Sequence, residues 1–140
     1  MLKYSLVGYD GSESSRRAFE FATALARACG GRVRVVSVLQ VIESGADATT
    51  LMMSDADAGT RRIAELTEEL AALAPDMASL VDLEVVHGSP GDSLLNQVRQ
   101  HGVDHIVIGH TERGALARWL LGSVSGDVLA RAHVPVTVVR

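Results

Sequence analysis

The chain has 140 residues, 47% of them hydrophobic and 21% charged, a balance that suits one folded domain around one core and excludes a disordered chain. A formal net charge of −4 removes any electrostatic case for nonspecific binding to nucleic acid or anionic lipid, since both demand a cationic footprint. The single cysteine, Cys29, excludes a disulfide within the chain.

The opening MLKYSLVGYDG lacks the apolar stretch and small-residue cleavage site of a secretory leader. No apolar run approaches the ~20 residues that span a bilayer. A cytoplasmic location and no membrane partner are the expectations that follow.

Lys3 to Tyr9 (KYSLVGY) is a short apolar run of strand formers. The turn Gly8-Tyr9-Asp10-Gly11-Ser12 leads into a helix over Ser12 to Cys29. Ser12 or Ser14 caps it, Gly30-Gly31 ends it, and Ala18, Phe21, Ala22, Leu25, Ala26 and Cys29 recur at helical spacing. Cys29 is expected as a small buried apolar residue. Arg32 to Leu39 (RVRVVSVL) reads as a second strand, with Val38 near its end.

Val41 to Thr60 is polar and rich in Gly, Ala and Ser, and is expected to be irregular. Met52 and Met53 within it either cover a pocket or partner, or the segment is a linker that carries nothing. Arg61 to Leu73 has Ile63, Leu66, Leu70 and Leu73 at helical spacing, with Pro75 as a stop. Val81 to His87 is a third strand. Ser89-Pro90-Gly91-Asp92 then starts a helix that runs through Leu94, Leu95 and Val98 to Gly102, with Ser89 as its cap. His105 to Gly109 and Pro135 to Val139 complete five strands. A last helix begins near Ser123 and carries Val124, Val128, Leu129 and Ala132.

The resulting order, βαβαβαβαβ, predicts an α/β fold: an open, doubly wound, five-stranded parallel sheet with helices on both faces. The chain is too short for a closed βα barrel. In such sheets a ligand sits beyond the carboxyl ends of the strands, where the strand order reverses. The turn after strand one, the end of strand two and the loop after strand four should meet there.

That place lacks both the dinucleotide fingerprint and the lysine-containing phosphate loop. Asp10 either accepts bonds from a ligand's amino or hydroxyl groups or accepts backbone N–H bonds within its own turn. Gly122-Ser123-Val124-Ser125 opens the last helix, either as an anion site built from amides and hydroxyls or as a plain cap and turn. His110 either contacts an anion or folds into its loop by hydrogen bonding. The five histidines show no metal-ligand spacing, so no metal site is expected. Trp119 is expected to pack in the core or on a partner. No nucleophile elbow or Ser/His/Asp set can be assembled, so no catalytic residue is named and the protein is expected not to be an enzyme, with slow hydrolysis of a bound ligand left open.

The stretches LVGYDGSESSRRAFEFATALA, HGSPGDSLL, VDHIVIG and GHTERGALARWLLGSVSGDVLARAHVPVTVVR resemble, in kind and order, the universal stress protein family over essentially the full length. The resemblance implies a Rossmann-like fold of the adenine nucleotide alpha hydrolase type and a role in stress response. Nucleotide-binding members bind ATP through G-x2-G-x9-G-[ST]. Here Gly109 matches the first glycine and Gly122-Ser123 the last pair, while Glu112 stands at the middle position. A carboxylate there repels phosphates unless it points away or helps hold a cation such as Mg2+, and Arg113 and Arg118 stand nearby to offset it. By the same resemblance Gly8, Tyr9 and Asp10 border adenine and ribose, Val38 and Ile108 supply apolar walls, and Gly109, Gly122, Ser123, Val124 and Ser125 hold ribose and phosphates. It also implies a homodimer paired through the C-terminal strand, with Val136 and Val138 in the contact. The alternative is a nucleotide-free dimeric adaptor that binds an unknown protein partner.

Overall fold

Strand β1 (Tyr4–Gly8) is made of residues that fill both faces of a sheet, and Ser5, Leu6 and Val7 are buried on either side of it. The computed structural model describes residues 2–39, 48–110 and 125–140. Helix α1 (Glu13–Cys29) starts where the Ser12 hydroxyl accepts from the Ser15 amide, and stops at Gly30, whose φ of 67° is left-handed. It buries Ala18, Phe19, Ala22, Thr23 and Ala26. The expected stripe was displaced by one position: Phe19 is fully buried while Phe21 is 42% exposed. Alanines at 18, 22 and 26 admit either neighbouring row as the second half of the face, and the sheet selects 15, 19 and 23. Cys29 is half-buried rather than buried, and its carbonyl accepts from the Lys3 ammonium.

Strand β2 (Arg32–Leu39) and strand β3 (Val81–His87) fall on the predicted residues. Between them helix α2 spans Ala48–Leu73, so the expectation of an irregular segment to Thr60 is corrected from Ala48 onward. Ala, Leu and Met dominate the helix-forming content of that stretch, no proline interrupts it, and Gly59 is a single modest penalty. Residues 40–47 lie outside the described residues. Pro75 stops α2 as expected and opens a 3-10 segment, Pro75–Leu80.

Helix α3 (Pro90–His101) has proline in its first turn and Gly102 in the left-handed conformation after its end. Ser89 occupies the cap position but makes no capping hydrogen bond, contrary to expectation. Strand β4 (His105–Gly109) is buried throughout. Helix α4 covers Ser125–Arg131, and strand β5 covers Val136–Val139. Val128 is buried as expected, whereas Leu129 is 53% exposed.

All strand pairs are parallel and the order across the sheet is β3-β2-β1-β4-β5. The register sets Ser5 beside His105, Leu6 beside Ile106 and Val7 beside Val107. Alternation then sorts the core into two layers. Val7, Val33, Val35 and Val107 meet α1 and α2 on one face. Leu6, Val36, Ile106 and Ile108 meet α3 and α4 on the other. Helices on both faces satisfy the hydrophobic pattern of a parallel sheet. The chain leaves β1 toward β2 on one side and reaches β4 on the other, so the strand order reverses between β1 and β4.

Candidate functional site

The residues beyond β1 and β4 form a cleft with about 560 Å³ of atom-free space, its open mouth included. The sequence-predicted residues Gly8, Tyr9, Asp10, Val38, Ile108 and Gly109 all line it. Gly122, Ser123 and Val124 lie outside the described residues, as do Glu112, Arg113, Arg118 and Trp119. Ser125 opens α4.

Each lining group is held by local chemistry. The Tyr9 amide donates to the Val36 carbonyl at 3.0 Å, which extends the β1–β2 ladder past the strand end. The Tyr9 ring is 2% exposed and meets Phe19 edge-on at 6.3 Å. Its hydroxyl donates to Glu69 Oε1 at 2.7 Å, and the same oxygen accepts from Arg16 Nε at 3.1 Å. Burial, and then the Glu69 carboxylate, pushes the phenol pKa up to about 12. At neutral pH Tyr9 is therefore a protonated donor already committed to α2, and it offers the cleft no base.

Asp10 turns the chain toward α1. Its Oδ1 accepts from the Ser12 amide at 2.9 Å, and its own amide donates to Ser15 Oγ at 3.4 Å. Burial disfavours the charged carboxylate, but the hydrogen bonds from Ser12 and Ser15 outweigh it and hold the pKa below its ordinary value. The turn-forming role anticipated for Asp10 is thus real. It engages one oxygen of a carboxylate that still lines the cleft.

Two glycines have packing reasons to be glycine. A Cβ on Gly109 would lie 2.2 Å from the Ser14 carbonyl oxygen, so α1 approaches β4 only because none is there. A Cβ on Gly8 would meet Leu94 at 3.3 Å. The His110 amide donates to the Val139 carbonyl at 2.7 Å, which carries the β4–β5 pairing one residue past the end of β4.

Sequence reasoning did not place Ser14, Ser15, Val36, Pro90 or Leu94 in the site, though all line it. Val36 shares a sheet face with Val38 by alternation, and Leu94 follows Pro90 by one helical turn. Those spacings were readable, but which helix end reaches the cleft was not. The walls are mainly aliphatic, with hydroxyls from α1 and the Asp10 carboxylate at one side. Among the described residues, no lysine or arginine lines the cleft and no cluster of three metal-ligating side chains occurs.

The family model for the universal stress protein family matches residues 1–140. The chain belongs to the universal stress protein family. It is 31% identical to a universal stress protein of Thermus aquaticus over the full length of both chains. It is 32% identical to one from Mycobacterium bovis, covering 96% of this chain and 47% of that longer protein. Among solved structures, universal stress protein UspA from Lactobacillus plantarum matches with a TM-score of 0.76 at 22% identity, covering 99% of this chain and 98% of that one. A universal stress protein in complex with cAMP matches with a TM-score of 0.67 at 25% identity, covering 99% of this chain and 96% of that one. The fold and family anticipated from the sequence therefore hold. No described helix of this universal stress protein is long and apolar enough to cross a membrane.

Proposed function

We propose that the cleft binds an adenine nucleotide and that this universal stress protein is a nucleotide-responsive regulator in stress physiology rather than a catalyst. The observation that carries the reading is the convergence of Tyr9, Asp10, Val38, Ile108 and Gly109 on one cleft at the carboxyl ends of the strands. The base lies between the aliphatic walls from β2 and β4, and Asp10 accepts from its amino group or from a ribose hydroxyl. The cAMP complex of a family member supports adenine as the base. ATP, with Mg2+ as its counterion, is the nucleotide that Gly109 and Gly122-Ser123 favour. Binding without turnover agrees with the cleft chemistry: Tyr9 and Asp10 are the ionisable groups among its described lining, and Glu69 and Ser12 already engage them.

Calorimetric titration of the full chain with ATP, with and without Mg2+, and with cAMP is the test. Asp10→Ala should weaken binding about tenfold, the value of one charge-assisted hydrogen bond. No heat with any adenine nucleotide at millimolar concentration would remove this reading and leave the nucleotide-free adaptor.

A further inference from the structure

Leu94 of α3 lines the cleft beside Pro90, Val36 and Val38, and it is only 4% exposed. Gly8 makes room for it. A Cβ on that residue would lie 3.3 Å from Leu94 Cδ1 and 3.6 Å from Cδ2, so both methyl groups rest on the bare end of β1. The leucine is carried on a helix that is tied down on both sides of it. Asp92 Oδ1 accepts from Arg131 of α4 at 2.7 Å, and Gln97 Oε1 accepts from Arg34 of β2 at 2.8 Å. A Cβ on Gly91 would lie 2.5 Å from Asp127 Oδ2, so the first turn of α3 sits close on α4. Leu94 is therefore a fixed wall. A guest larger than the space in front of it must strain a close-packed core layer.

We infer that Leu94 is a specificity-determining residue: its side chain sets the space open to the base and excludes adenines that carry an added alkyl group on the edge facing α3. This deepens the adenine reading above and rests on it. An aliphatic wall selects by size, because one methylene too many in a fitted apolar pocket is worth roughly 10- to 200-fold.

The test is calorimetry of the full chain with ATP and with ATP carrying a propyl group at N6, C2 or C8 of the base, on the wild type, Leu94→Ala, Leu94→Val and Leu95→Ala. The wild type should bind at least one propyl nucleotide about tenfold or more weaker than ATP. Leu94→Ala should bring that same nucleotide to within about threefold of ATP, since the atoms it deletes match the added group. Leu94→Val, a smaller deletion, should narrow the gap by about threefold, and it decides the matter if Leu94→Ala does not fold. Leu95 is buried in the same core layer but does not line the cleft, so Leu95→Ala should keep the wild-type ranking. A wild type that takes all three propyl nucleotides as well as ATP would overturn the assignment while leaving the adenine reading intact. So would a ranking unchanged in both Leu94 variants, or an equal change in Leu95→Ala. A wild type that binds none of the four nucleotides would remove the adenine reading, and this assignment with it. Circular dichroism melts establish that each variant is folded at the temperature of titration.

Discussion

Gly109 answers two demands with one missing atom. It ends β4 at the cleft, and it lets the first turn of α1 lie against the strand. Gly109→Ala should cost about 2 kcal/mol or more, because backbone and not a flexible side chain must move to admit the methyl group. Urea denaturation measures this, and a stability equal to wild type would show that α1 shifts freely. His105 makes the second residue-scale case. It is 2% exposed, with Nδ1 2.9 Å from the Ser5 hydroxyl on β1 and Nε2 2.7 Å from the Thr137 hydroxyl on β5. Burial lowers its pKa, and the Asp104 carboxylate opposes this only in part. The folded state therefore resists a proton that the unfolded chain accepts near pH 6.5. The contribution of His105 is complete above that pH and declines as the pH falls toward the folded value. Comparing wild type with His105→Gln from pH 7.5 to 5 should show a loss in the wild type that the variant lacks. Parallel curves would mean that the ring gains its proton without penalty.

At the scale of elements, a polar seam ties three strands to α3. Arg34, 9% exposed on β2, donates through Nε to Gln97 on α3 at 2.8 Å and pairs with Glu84 on β3. Tyr4 on β1 donates to Asp82 on β3 at 2.7 Å, and Asp82 also accepts from Arg32 at 2.9 Å. Arg34→Met should cost about 2 kcal/mol, since it strands the Gln97 oxygen in the core and leaves Glu84 without its cation. Arg34→Met/Gln97→Leu should recover part of that loss in a double-mutant cycle, and strict additivity would deny the coupling. None of this seam was legible in the sequence. Arg34 stands in a Val-rich run where alternation marks it only as an interruption, and its partners lie 50 and 63 residues away. The bounds of β2, β3 and β4 were legible, because β-branched runs between turn residues have few other uses. The first half of α2 was not, because its Ser, Asp, Thr and Gly content resembles a loop until helix propensity is summed over the window.

At the scale of the molecule, the sheet ends on β5, four residues long, with Val138 40% exposed and Val136 half-buried. An edge strand with an outward apolar residue calls for a cover, and we propose that a second copy supplies it. Val138→Asp should convert a dimer into a monomer at micromolar concentration in sedimentation velocity. A wild type that is monomeric throughout, or a variant that stays dimeric, would place the interface elsewhere or nowhere.

Hydrophobic periodicity and turn chemistry are local, so the sequence by itself determined the strands, the helix stops and the α/β class, and the resemblance of four of its stretches pointed to the family. Sheet geometry told which strand ends meet at the cleft, and the family resemblance named six of the residues that line it. Only the tertiary structure decided which row of α1 is buried, that the Tyr9 hydroxyl donates to Glu69, and that α3 supplies Pro90 and Leu94. Those facts depend on contacts between residues far apart in the chain, and such contacts are settled by how helices seat on a twisted sheet, not by any residue's neighbours in sequence.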